Sequence, residues 1–73
     1  MEQVIIDQEK LGMEIRKFLK KVGITSQREI ENAIREKAES GNLQGVESLP
    51  SRMILQIPEL GLEYTIDSDI EIH

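Results

Sequence analysis

The sequence predicts an α+β fold: two helices, helix-turn-helix-like, packed on one face of a small two- or three-stranded antiparallel sheet. Three observations carry this. Residues 11–37 show a helical apolar period that pauses at Val22-Gly23-Ile24-Thr25. Residues 53–66 alternate apolar and polar around Pro58-Glu59-Leu60-Gly61. Between these stretches lies GNLQGVESLPS, residues 41–51, whose Gly, Pro and Ser mark a connection.

Residues 1–9 read as a partly ordered arm, in which Val4-Ile5-Ile6 suits either a short strand or a lead into the first helix. In the first helix, Leu11, Ile15, Phe18, Leu19 and Val22 fall within an arc roughly 100° wide, which makes one buried stripe. Gly12 costs this helix about 1 kcal/mol relative to Ala and leaves its start less defined than its end. Gly23 can end a helix in the left-handed conformation, and Lys20 and Lys21 suit the negative end of its dipole. Ser26-Gln27-Arg28-Glu29 has the form of a capping box, so a second helix is expected from about Gln27. Ile30, Ala33, Ile34 and Ala38 share its inner face, and Ser40-Gly41-Asn42 supplies the stop. The helical pair thus covers residues 10–40.

The sheet follows from the change of period to 2. Met53, Leu55 and Ile57 form the inner face of one strand, and Leu62, Tyr64 and Ile66 that of the next. Asp67-Ser68-Asp69 makes either a second turn, with a short third strand at Ile70 and Ile72, or part of a strand running to the end. Leu43, Val46 and Leu49 are expected to tuck the connection onto the core. Residues 52–73 form the hairpin region of one domain covering residues 1–73.

Composition bounds the function. A chain of 73 residues with no cysteine has no disulfide or thiolate zinc site to reinforce a small core. No apolar run approaches the roughly 20 residues of a membrane span, and the acidic start lacks the form of a secretory signal, so a cytoplasmic, non-membrane protein is expected. The net charge is -5. Residues 10–39 hold eight Lys/Arg against five Asp/Glu, whereas residues 40–73 hold six acids against Arg52 alone, so a basic helical half precedes an acidic tail.

The chain resembles a small bacterial protein family of unknown function, with members about this long. The likeness rests on Ile15-Arg-Lys-Phe-Leu-Lys-Lys-Val-Gly-Ile-Thr-Ser-Gln-Arg-Glu-Ile-Glu31 and more loosely on Leu60-Gly-Leu-Glu63 with the acidic C-terminus. It implies a compact domain with no assigned activity and brings no site residues.

Two functional readings follow. In the first, the protein is a non-enzymatic interaction module, a homo-oligomer or the docking partner of another protein, because a basic helix and an acidic sheet face are complementary between copies. Ile54 on the outer face of the sheet and an open sheet edge would extend that contact. In the alternative reading the order helix, turn, helix, hairpin resembles a winged helix-turn-helix nucleic-acid binder. Thr25, Ser26, Gln27 and Arg28 would then meet bases, and Lys20 and Lys21 phosphates. Three features weigh against it: a turn one residue too long, Glu31 and Glu39 on the reading face, and an acidic hairpin in place of a basic wing. The candidate binding surface common to both readings is Arg16, Lys17, Lys20, Lys21, Ser26, Gln27 and Arg28.

Catalytic, cofactor and metal sites are not expected. Asp67, Asp69 and Glu71 share a strand face but supply fewer oxygens than a hard cation needs. His73 is the lone histidine, at the end of the chain. One Tyr and one Phe make no stacking platform, and no Gly-rich phosphate loop is present.

Overall fold

The computed structural model describes residues 4–73. The chain divides into two compact units, Met1–Asn42 and Leu43–His73. Among the described residues it is α+β overall, with a single α-helix in the first unit and a single hairpin in the second.

The helix, α1, spans Gln8–Glu39, 32 residues without interruption. At 1.5 Å per residue this is a rod about 48 Å long. It begins one turn earlier than the period alone suggests, because Asp7 is its N-cap. Its carboxylate accepts a hydrogen bond from the Lys10 amide at 3.1 Å, and its carbonyl accepts from the Leu11 amide at 2.9 Å. Of the expected arm, residues 1–3 lie outside the described residues. Residues 4–6 have no regular structure and are exposed. The helix ends at Ser40-Gly41-Asn42 in a Schellman arrangement: Gly41 takes φ 78°, its amide reaches the Ala38 carbonyl, and the Asn42 amide reaches the Lys37 carbonyl, both at 3.1 Å.

The expected pair of helices is therefore corrected to one. No turn separates Val22 from Gln27, and Gly23 stays in the right-handed helical region. The physical reason lies in what a break would cost. Ending one helix and starting another leaves up to four amides and four carbonyls in need of new partners, whereas carrying Gly23 costs only about 1 kcal/mol. A capping box helps where a helix starts but does not oblige it to start.

On the continuous rod, the two expected stripes join. Leu11, Ile15, Phe18, Leu19 and Val22 lead through Ser26 to Ile30, Ala33 and Ile34. Steps of four residues run about 40° past a full helical turn each. The apolar arc of the second half therefore sits roughly 90° around the axis from that of the first. This drift made each half look like a separate amphipathic helix.

The second unit is a two-stranded antiparallel sheet. Its first strand, β1, spans Ser48–Ile57 and its second, β2, spans Leu62–Glu71. Register runs from Ile57↔Leu62 at the turn to Ser48↔Glu71 at the open end. Residues 48–51, expected in the connection, thus belong to β1, and Asp67-Ser68-Asp69 continues β2 without a third strand. Pro50 is compatible with a strand here because of where its nitrogen points. The Ile72 amide donates to the Glu47 carbonyl at 2.9 Å. Alternation from that pair puts Leu49, Ser51, Met53, Leu55 and Ile57 in hydrogen-bonded pairs, and the even-numbered residues of β1 face away from β2. Pro50 lacks only an amide that would point outward.

Pro58–Leu60 forms a short 3-10 turn, closed by the Gly61 amide on the Pro58 carbonyl at 3.0 Å. Gly61 takes φ 61°, with open space where a Cβ would stand. Gly61→Ala therefore meets no clash but carries the left-handed penalty of about 1 to 2 kcal/mol. The expected result is a marked loss of hairpin population, visible as collapse of the dispersed Hα shifts of β1 and β2. Unchanged shifts would show that the turn does not need this conformation.

Pleating sorts the hairpin into two faces. Leu49, Met53, Leu55, Ile57, Leu62, Tyr64, Ile66 and Ile70 share one with Ser51 and Ser68. The other carries Arg52, Ile54, Gln56, Glu63, Thr65, Asp67, Asp69 and Glu71. No described residue is buried. Phe18, expected in a core, is 53% exposed, and Tyr64 on the apolar hairpin face is 61% exposed. Leu43, Val46 and Leu49 are half-buried.

Candidate functional site

A continuous helix brings Lys17, Lys20, Lys21 and Arg28 together, in a shallow depression around Ile24 and Thr25. Lys17, Lys21, Thr25 and Arg28 lie three or four residues apart in succession, as do Lys20, Ile24 and Arg28, so both rows run up one side of the rod. The apolar stripe lies roughly opposite. Lys17 has a carboxylate neighbour in Glu14, at 3.8 Å, and both side chains are well exposed. Such a pair contributes only a few tenths of a kcal/mol. Arg35 donates to the Asn32 side-chain oxygen at 3.0 Å.

The other expected surface residues are placed elsewhere. The Arg16 guanidinium lies over Gly12, 3.6 Å from where a Cβ would stand there. Ser26 falls within the apolar stripe. Gln27 sits beyond the stripe's edge, away from the Lys17–Arg28 row. Ser26 and Gln27 are expected to meet bases only as the opening turn of a second helix, whose amides would be free. Inside a continuous helix those amides are bonded to carbonyls four residues back.

On the hairpin, the polar face is held by two cross-strand pairs. Arg52 Nε donates to Asp67 Oδ1 at 2.8 Å, and Gln56 Nε2 to Glu63 Oε1 at 3.3 Å. Both link residues directly opposite each other in register, in pairs without backbone hydrogen bonds, where side chains approach most closely. Asp67 thus pairs with Arg52, while Asp69 stands opposite Pro50 and Glu71 opposite Ser48. The apolar hairpin face is a candidate surface that the sequence does not reveal: its alternation is plain, but the same pattern fits residues facing two helices.

The helix-turn-helix comparison loses its turn, since the segment between Val22 and Gln27 is helical. Among the described residues no helix is long and apolar enough to cross a membrane. Among the described residues, one charged and stripe-bearing helix and one hairpin with an apolar face define a small α+β protein, and the features described within each unit are open surfaces. The chain belongs to a family of unknown function (DUF6494), whose family model matches residues 6–73. No curated protein and no solved structure matches the chain.

Proposed function

We propose that this protein acts by self-association, as a non-enzymatic module that completes its hydrophobic core with further copies of itself. The observation that carries this reading is the apolar face of the hairpin. Eight large apolar side chains stand on one side of two strands, and none is buried. A two-stranded hairpin is at best marginally stable in water, and needs a further layer or more strands to persist. The helix has the same need, since most helical stability in proteins comes from covering an amphipathic face. Large exposed apolar patches on a folded chain mark interaction surfaces. A second copy supplies both kinds of apolar surface at once. Charge favours the same occupant, because the helix between residues 10 and 39 carries net +3 and residues 40–73 carry net -5.

The experiment is sedimentation with light scattering from low micromolar to millimolar protein, with circular dichroism on the same samples. The expected result is a mass rising to a multiple of 8.4 kDa, with ordered secondary structure rising alongside it. A mass of one chain at every concentration, with unchanged dichroism, would defeat this reading.

A further inference from the structure

Resting on that reading, we propose that two copies join edge to edge through β1, with Ile54 facing its counterpart on the two-fold axis, to make one four-stranded sheet.

The hairpin has two open edges, and they differ. Outward-pointing backbone groups on β2 belong to Glu63, Thr65, Asp67, Asp69 and Glu71, the residues of its non-hydrogen-bonded pairs. Four of these five are acids. Pairing β2 with its own copy in antiparallel register sets acid against acid, as in Asp67 on Asp67 or Glu63 on Glu71, and like charges directly opposite are destabilising. Charged residues along an edge are a common guard against such pairing. Outward groups on β1 belong to Ser48, Pro50, Arg52, Ile54 and Gln56, with a single charge among them. The β1 edge carries no row of like charges, and its proline, Pro50, limits which registers can pair without closing the edge.

The prolines and Ile54 together favour one register. Two antiparallel copies of β1 must set outward residues opposite outward residues to exchange hydrogen bonds. With Ile54 on the axis, Arg52 faces Gln56 of the other copy, and the amides of Arg52, Ile54 and Gln56 all find carbonyls. The next pair on either side is Pro50 with Pro58. Each lies four residues from Ile54 and neither has an amide to leave unpaired. Shifting the pairing by one step either way takes Ile54 off the axis and puts a proline opposite Gln56 or Arg52, whose carbonyl then lacks a donor, and a further shift toward the start of β1 sets Arg52 against Arg52.

Two other features fit the same arrangement. Ile54 is the one large apolar residue on the hairpin's polar face, 55% exposed and paired in register with Thr65. On the axis it meets a β-branched apolar partner, a favourable cross-strand pair. The two-fold also keeps both apolar faces on one side, so that Met53 stands beside Leu55 of the other copy and the two patches become one.

The sequence contains no cysteine, which gives a direct test. Hydrogen-bonded antiparallel partners have Cα atoms about 5.5 Å apart, within disulfide range. Ile54→Cys is expected to form a covalent dimer under mild oxidation at least ten times faster than Thr65→Cys, its neighbour on the β2 edge. Ile54→Pro, which removes only an outward amide, should weaken association at least tenfold, and Thr65→Pro should leave it unchanged. An associated protein in which both cysteine variants cross-link at equal rates overturns the β1 edge and leaves self-association standing. A wild-type chain that is monomeric at all concentrations overturns both.

Discussion

Leu55→Asp is expected to leave the protein monomeric and its hairpin unfolded. Leu55 stands at the middle of the apolar hairpin face, directly opposite Tyr64 and beside the Met53↔Ile66 pair. Covering a leucine side chain gains about 1.5 to 3 kcal/mol relative to leaving it in water. An aspartate there loses that gain and brings a carboxylate that resists desolvation. The change enters once per copy, so a dimer loses about 3 to 6 kcal/mol, which is two to four orders of magnitude in dissociation constant. Because a lone hairpin is marginal, dissociation and loss of strand structure should occur together. Sedimentation and far-ultraviolet dichroism read the two effects separately. Wild-type mass with full strand signal in Leu55→Asp would mean that this face plays no part in assembly.

Gly23 gives the second large effect, and its sign carries the information. Within a continuous helix, and with nothing within 4 Å of a Cβ placed there, Gly23→Ala should stabilise the protein by about 1 kcal/mol. A Gly23 in the left-handed conformation of a helix end would give the reverse, a loss of about 1 to 2 kcal/mol. Gly23→Pro should cost about 3 kcal/mol or more, since it deletes an amide bonded to the Leu19 carbonyl and sets its ring against that carbonyl. Urea titration of the two variants beside the wild type decides the matter. Destabilisation by Ala would restore a break between Val22 and Gln27.

The reach of the sequence can be seen at particular residues. Ser40-Gly41-Asn42 marked the helix end because a left-handed glycine turns the following amides back onto the last carbonyls of the helix. Gly61 marked the hairpin turn for the same conformational reason. Gly23 carried a similar signal and misled, because a glycine permits a left-handed conformation without requiring it. Which outcome holds depends on the whole helix and not on the local string. The opening of β1 was hidden by Ser48, Pro50 and Ser51, whose composition is that of a linker. Only the register shows that Pro50 gives up no ladder bond. The basic surface was legible in part: Lys17, Lys20, Lys21 and Arg28 converge only when the helical period is carried through Gly23. By local string alone, Arg28 belongs with Ser26 and Gln27 in a helix start that the continuous helix does not contain.

The hairpin's register has a consequence for the order of events in folding. Pairing begins at Ile57↔Leu62 beside a four-residue turn and extends outward one pair at a time to Ser48↔Glu71. Each step closes a loop already shortened by the previous one, so the search costs little entropy, and hairpins of this kind form on the order of microseconds. The helix likewise grows through contacts four residues apart, on a submicrosecond scale. In chains whose bonds before Pro50 and Pro58 are already trans, neither unit contains a slow step of its own. In an assembling chain the time to reach the native state is set by encounters between molecules, and shortens as their concentration rises.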